Sequence, residues 1–194
     1  MHLEPIVLEN EIVRLEPLEE HHRAALREPA NDPQTWQLTT IRGDGVHFDA
    51  WFDLMLAGQE KGDQISHAVW SKADARHIGH SAFLVITPKH ERLEIGWTWY
   101  EATVRGTKIN PACKHLLIGR AMDCGARRVE LKTHGLNKHS QNAMKKMGAS
   151  YEGTLRSHTK TWRGDFRDTV WFSVLKDEWP TVSDGLRARI EAEG

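Results

Sequence analysis

The chain has 194 residues, 39% hydrophobic and 27% charged, which suits a single globular domain with a real core and excludes an intrinsically disordered chain. A formal net charge of −1 excludes a global field for nucleic acid or an anionic membrane. The two cysteines, Cys113 and Cys124, do not make a disulfide scaffold.

The start, Met1-His2-Leu3-Glu4-Pro5, lacks a basic-then-apolar run, so no secretory leader is expected. No apolar stretch approaches the roughly 20 residues of a membrane helix, and the cytoplasm is the expected location. Ile12 to Glu16 reads as a first strand and Leu18 to Arg27 as a short helix closed by Pro29. Asn31 to Gly45 is polar and turn-rich. Phe48, Trp51, Phe52, Met55 and Leu56 recur at helical spacing, which predicts a helix to about Gly62.

The middle is strand-rich. Ile65 to Ser71 and His77 to Ile86 flank the turn residues Lys72 to Ala75, and Arg92 to Tyr100 follows as a third strand. The pattern then changes. Asn110-Pro111 reads as a helix start, with Asn as N-cap and Pro at the first helical position. Cys113, Leu117, Ala121 and Cys124 form the stripe of that helix, and Gly125 sits where a terminating glycine belongs. Val129 to Thr133 alternates as a strand. Asn137 opens a helix with Ser140, Ala143, Met144 and Met147 at i, i+3, i+4 and i+7, ended by Gly148. Tyr151 to Trp162 and Phe166 to Leu175 form a closing hairpin around Arg163-Gly164-Asp165. The order β-α-α-β-β-β-α-β-α-β-β predicts a mixed α/β fold.

The segment Val104 to Pro111 joins a strand to a helix N-terminus, where unpaired N–H groups and the helix dipole form an anion site. Gly106 lets the backbone approach a phosphate, and Arg105 and Lys108 add charge. A plain capped strand-to-helix turn is the other reading of the same residues. Arg127-Arg128 and Lys145-Lys146 read as solvated element ends, with ligand contacts as the other reading. Adjacent His21-His22 and the pair His77 and His80 make no recognisable metal set, so no metal is expected. Cys113, on an apolar stripe, reads as a buried small hydrophobe rather than a nucleophile. The eight tryptophans read mostly as core.

Arg105-Gly106 resembles the opening of the acyl-CoA pyrophosphate loop of the GNAT superfamily, Gln/Arg-Gly-x-Gly-x-Gly/Ala, with Lys108 and Asn110 in place of its later glycines. Leu93-Glu94-Ile95-Gly96-Trp97 is similar to that family's fourth strand. Asn137-Lys138-His139-Ser140-Gln141-Asn142-Ala143 matches its Asn-x-x-Ser-x-x-Ala. The run continuing through Met147-Gly148-Ala149 and Glu152 to Arg156 is similar to the RimJ/RimL-like ribosomal-protein N-terminal acetyltransferases.

The resemblance implies a splayed, twisted mixed sheet with flanking helices and an acetyl-CoA-dependent N-acetyltransferase. The amine acceptor would be a protein N-terminus or a small molecule; a homodimer stays open, and no nucleic-acid or membrane partner is implied. It further implies that the backbone from Gly106 through Thr107, Lys108 and Ile109 to Asn110 holds the diphosphate, with Arg105 beside it. The Ile95 and Trp97 backbone, next to Gly96, would pair with pantetheine. Asn137 would bond the pantetheine arm, and Ser140 would reprotonate the thiolate. Glu94 is the first candidate base, a plain strand-surface carboxylate being the other reading of it, with His134 and His158 as further candidates; the closing hairpin reads His158-Thr159-Lys160, without the Glu that RimL-like members carry there. A non-catalytic acyl-CoA-binding or partner-binding module on the same fold is the alternative.

Overall fold

A computed structural model describes residues 1–192. The strands are β1 (Leu8–Glu9), β2 (Val13–Pro17), β3 (Ile65–Ser71), β4 (Arg76–Thr87), β5 (Arg92–Tyr100), β6 (Arg128–His134), β7 (Ser150–Lys160) and β8 (Phe166–Leu175). The helices are α1 (Arg23–Arg27), α2 (Phe48–Glu60), α3 (Ile109–Asp123), α4 (Lys138–Met147) and α5 (Trp179–Ala192). Among the described residues, none of the helices is long and apolar enough to cross a membrane.

The strands form one eight-stranded sheet in the order β1-β2-β3-β4-β5-β6-β8-β7. Every neighbouring pair is antiparallel except β5 and β6. One face buries Leu93, Ile95, Leu131, Val170, Phe172 and Val174 with Cys113, Leu117 and Ala121 of α3 and Val182 and Leu186 of α5. The other packs Ala68 and Trp99 against Leu26 of α1 and Phe48, Trp51, Phe52 and Met55 of α2. Trp36, Trp51 and Trp99 meet there with ring centroids 5.5 to 5.7 Å apart.

The expected element order holds, with two additions. The short edge strand β1 and the helix α5 carry no strong local pattern; α5 contains Pro180 and Gly185, and its buried face rests on Val182, Ser183 and Leu186. Two helix starts differ from expectation: α1 begins at Arg23, after a 3₁₀ turn over Glu20–His22, rather than at Leu18. α3 begins at Ile109 with Lys108 as N-cap, so Asn110 is not the cap and Pro111 lies in the first turn. Thr107 sets this earlier start: its hydroxyl donates to the Val104 carbonyl at 2.8 Å and accepts the Ile109 N–H at 3.3 Å. Asn110 instead accepts from the Tyr100 hydroxyl at 3.4 Å.

β5 and β6 pair only through Arg92↔Arg128, Leu93↔Val129 and Glu94↔Glu130. Beyond Glu94 they part, and β6 runs on to His134 paired with β8 alone. A bulge accompanies the divergence. Ala82 pairs with Gly96 and His80 with Trp99, so Trp97 and Thr98 together oppose Ser81. Trp97 takes φ 49°, a costly conformation for a bulky residue. Its carbonyl accepts a 2.9 Å hydrogen bond from Nδ1 of buried His80, which burial keeps neutral by lowering its pKa to about 4. His80 thus pins the bulge that turns β5 away from β6.

Far along the same sheet, Glu16 on β2 accepts from His77 at 2.8 Å, from His22 at 3.0 Å and from Arg14 at 2.6 Å. Sequence spacing does not bring these histidines together. The trio has metal-ligand types, yet His22 Nδ1 accepts the Glu19 N–H at 3.0 Å, so the Nε2 facing Glu16 carries the proton. A metal-ligating histidine shows the opposite arrangement, donating its outer N–H to an acceptor. Burial would raise the Glu16 carboxyl, but hydrogen bonds from His77, His22 and Arg14 outweigh it and hold the pKa at about 2. Because the folded value lies below the ordinary 4.5, the stabilisation is complete above that pH and fades as pH falls towards about 2. Glu16→Gln is expected to cost on the order of 2–3 kcal/mol at pH 7. Scanning calorimetry should show the Tm gap to the native protein closing as pH falls from 4.5 towards 2; a constant gap would contradict this account.

Candidate active site

The divergence of β5 and β6 opens at the end of the strands that faces the loop into α3. Ile95, Gly96 and Trp97 lie just past the last β6 pairing. The Ile95 side chain is core, so only its backbone is available to a ligand. A Cβ on Gly96 would meet Leu84 Cδ1 at 2.7 Å and Glu94 Oε1 at 2.8 Å, so the residue must stay small for the Glu94 carboxylate to fold alongside.

After β5 the chain makes a short 3₁₀ turn, Ala102–Val104, and enters α3 through Gly106 at φ +81°. Ile109 has its N–H capped by Thr107. Among the described residues, the N–H groups of Gly106, Thr107, Lys108 and Asn110 have no hydrogen-bond acceptor. Four orphan donors at the positive end of a 15-residue helix make an anion cradle. The Arg105 guanidinium does not point into it. It donates to the Tyr100 carbonyl at 2.9 Å, to Asp32 at 3.0 Å and to Thr35, tying the loop to the segment before α2.

Across the opening, α4 follows the end of β6. Asn137 caps it by accepting the Ser140 N–H at 3.0 Å, and Gly148 ends it at φ +92°. Gln141 donates to the Gly135 carbonyl at 2.8 Å and braces the turn. Among the described residues, the Ser140 hydroxyl and the Asn137 Nδ2 have no partner.

Glu94 lies on the α1–α2 face of the sheet and is 2% exposed. Lys132 Nζ is ion-paired to its Oε2 at 2.8 Å and lies 5.3 Å from the Trp171 ring centroid. Burial raises the Glu94 pKa and outweighs Lys132, which acts to lower it. From α3, Lys114 reaches Thr98 Oγ1 at 3.0 Å while 7% exposed, and burial lowers its pKa to about 8. The sequence carries a trace of this: Lys114 interrupts the apolar set Leu117, Ile118 and Ala121 at helical spacing.

The other candidates fare differently. His134 Nδ1 accepts the Leu136 N–H at 3.0 Å, so its neutral ring carries hydrogen on Nε2 and presents a donor rather than a base. His158 is exposed on β7 and shares a 2.9 Å hydrogen bond with Thr159. Cys113 is fully buried and burial pushes its thiol up to about 12, which leaves no nucleophilic thiolate at neutral pH. A surface hollow between Lys89, Glu91, Arg127 and Lys176 lies at the opposite ends of β5 and β6 and gathers no acid–base pair facing a cleft.

The sequence matches the acetyltransferase (GNAT) domain family over residues 13–150. No curated protein matches it. Among solved structures, a GCN5-related N-acetyltransferase from Brucella melitensis is 28% identical, with 96% of this chain and 86% of that one covered and a TM-score of 0.88. A protein from T. thermophilus assigned as an acetyltransferase is 30% identical, covering 98% of this chain and 100% of that one, with a TM-score of 0.88. RimJ from Mycobacterium smegmatis, in complex with CoA-disulfide, shares the fold at 18% identity, over 95% of this chain and 94% of that one, with a TM-score of 0.79.

Proposed function

The chain belongs to the acetyltransferase (GNAT) domain family, and on that premise we propose that residues 1–194 act as one domain moving an acetyl group from acetyl-CoA to a primary amine within a ternary complex. The observation that carries this is the parting of β5 from β6 beside a helix N-terminus with four orphan N–H groups. Those groups fit a diphosphate, and no side chain blocks their approach at Gly106. The opening fits a slender pantetheine arm, with the Ile95 and Trp97 backbone on one side and Asn137 Nδ2 on the other. The sequence run from Asn137 to Arg156 supports a RimJ/RimL-like subgroup.

Acetyl-CoA supplies the activated acyl carbon; the residues supply position and proton transfer. Glu94 takes the proton from the attacking amine, directly or through one water. The elevated pKa that burial gives it suits a base better than an exposed carboxylate would. The Ser140 hydroxyl donates to the sulfur as the C–S bond breaks. With no reactive thiol at Cys113, transfer is direct and the kinetics are sequential.

Thiol release measured over a panel of primary amines tests the reading. Turnover with intersecting initial-rate patterns is expected; absence of release with every amine, despite tight CoA binding, would favour the non-catalytic acyl-CoA-binding alternative. Ser140→Ala is expected to lower kcat by about tenfold or more with little change in KM, because the thiolate charge develops mainly in the transition state. A KM effect alone would assign Ser140 to binding.

A further inference from the structure

Among the described residues, several of the buried polar atoms without a hydrogen-bond partner lie together on one strand. They include Arg167 Nε, Thr169 Oγ1 and Trp171 Nε1. All three residues alternate along β8 on the face opposite Val170, Phe172 and Val174, which belong to the core under α3. The register sets Trp171 beside Lys132 and Thr169 beside His134 on β6. Glu94, ion-paired to Lys132 at 2.8 Å, borders the same stretch. A buried donor left unmade costs about 1–3 kcal/mol, so several together on one wall indicate a ligand that completes them.

The chemistry of the wall is one-sided. Arg167 is 8% exposed, and its one protein acceptor is the Leu38 carbonyl at 3.2 Å. Burial disfavours its charge, and the nearby Glu94 only partly offsets that. Arg167, Trp171 and Lys132 can only donate, and Thr169 can do so as well. Glu94 is the carboxylate they face, and Lys132 already lies against it. The missing partner is therefore rich in acceptor oxygens and negatively charged.

The wall is also roofed. Trp162 Nε1 donates to the Trp36 carbonyl at 2.7 Å, and with the Arg167–Leu38 bond it clamps the segment between α1 and α2 to the β7–β8 hairpin. Arg42 closes over the Trp162 ring at 5.0 Å. Such a cover admits a small molecule more readily than a protein chain.

We propose that the acceptor is a small amino-carboxylate, its amine directed to Glu94 and its carboxylate held by Arg167 with Thr169 or Trp171. This rests on the acetyl-transfer reading for the amine end but on the β8 donors for the carboxylate end. The test is calorimetric binding of linear amino acids of increasing chain length, and of their carboxamides, with and without CoA, followed by acetylation of the same panel. At least one acid should bind tenfold or more tightly than its amide. Arg167→Gln should erase that preference while leaving CoA affinity intact. Trp171→Phe, which keeps the ring and removes one N–H, should reduce it severalfold in a protein of native Tm.

Equal binding of acid and amide, or no binding of either, overturns the proposal. So does a preference that survives in both variants. A carboxylate preference in binding without acetylation would sustain the carboxylate site on β8 and remove the acceptor role together with the transfer reading. Acetylation of acids and amides with equal kcat/KM would do the reverse.

Discussion

Glu94→Gln is expected to lower kcat/KM at neutral pH by about 10²–10⁴-fold, the usual worth of a positioned base, while the protein becomes more thermostable. Both halves follow from one environment. The carboxyl is 2% exposed, and burial raises its pKa above the ordinary value of 4.5. As a base it works only when ionised, so the native acidic limb should lie above the ordinary carboxylate range, and the variant should lose that limb. A raised folded pKa also means that the fold favours the protonated form. Stability from that preference is complete below the unfolded pKa and is lost as pH rises through the folded one. Gln is neutral at every pH and escapes the loss, while Lys132, 31% exposed, can turn its charge to water. Native and variant Tm should therefore diverge as pH rises through the Glu94 pKa. An unchanged pH–rate profile would remove Glu94 as base; a Tm lower at pH 8 than the native value would show that the pair with Lys132 outweighs the burial cost.

Gly106→Val is expected to weaken CoA binding by tenfold or more with only a small change in Tm. Space is not the obstacle, because a Cβ at Gly106 meets nothing within 4 Å. Conformation is: φ +81° is open to glycine but strained for a β-branched residue by about 1–3 kcal/mol. The loop relieves the strain by moving to negative φ, which turns the N–H groups of Gly106 and Thr107 away from the cradle. The loop is exposed and carries little of the core, so the effect should fall on affinity rather than folding. Calorimetry reads both arms. Native-like CoA affinity in the variant would place the diphosphate elsewhere. Arg105→Ala offers a contrast: its guanidinium holds Asp32 and Thr35, so its loss should slacken the segment before α2 as well.

Features encoded within a few residues are legible from the chain alone. β3, β5 and β8 run over the expected residues because their alternation or apolar density is local. α4 is bounded as expected because its cap and terminator, Asn137 and Gly148, act on neighbouring backbone groups. The loop glycine, Glu94 and Ser140 are likewise visible as residue types at fixed spacings. α3 starts two positions earlier than its spacing implies because Thr107, a side chain before the apparent cap, satisfies the first-turn N–H. α5 escapes a local reading because its two buried aliphatics, Val182 and Leu186, gain meaning only once α3 supplies a surface.

Local signals set the order of elements from β2 to β8, the alternation that sorts core from solvent, and the chemistry available at each turn, since all of these depend on neighbours along the chain. Where β5 leaves β6 is legible only in the folded chain, because it depends on a bulge pinned by His80 across a neighbouring strand. Only the folded chain joins Glu16 to His77, 61 positions away, and turns Arg167, Thr169 and Trp171 into a buried donor wall under a roof fixed by Trp36 and Leu38. Polar residues at alternate positions read as a solvent face in any strand. A second layer that excludes water converts that face into an unmet demand for a ligand, and the layer is contributed by residues more than a hundred positions distant.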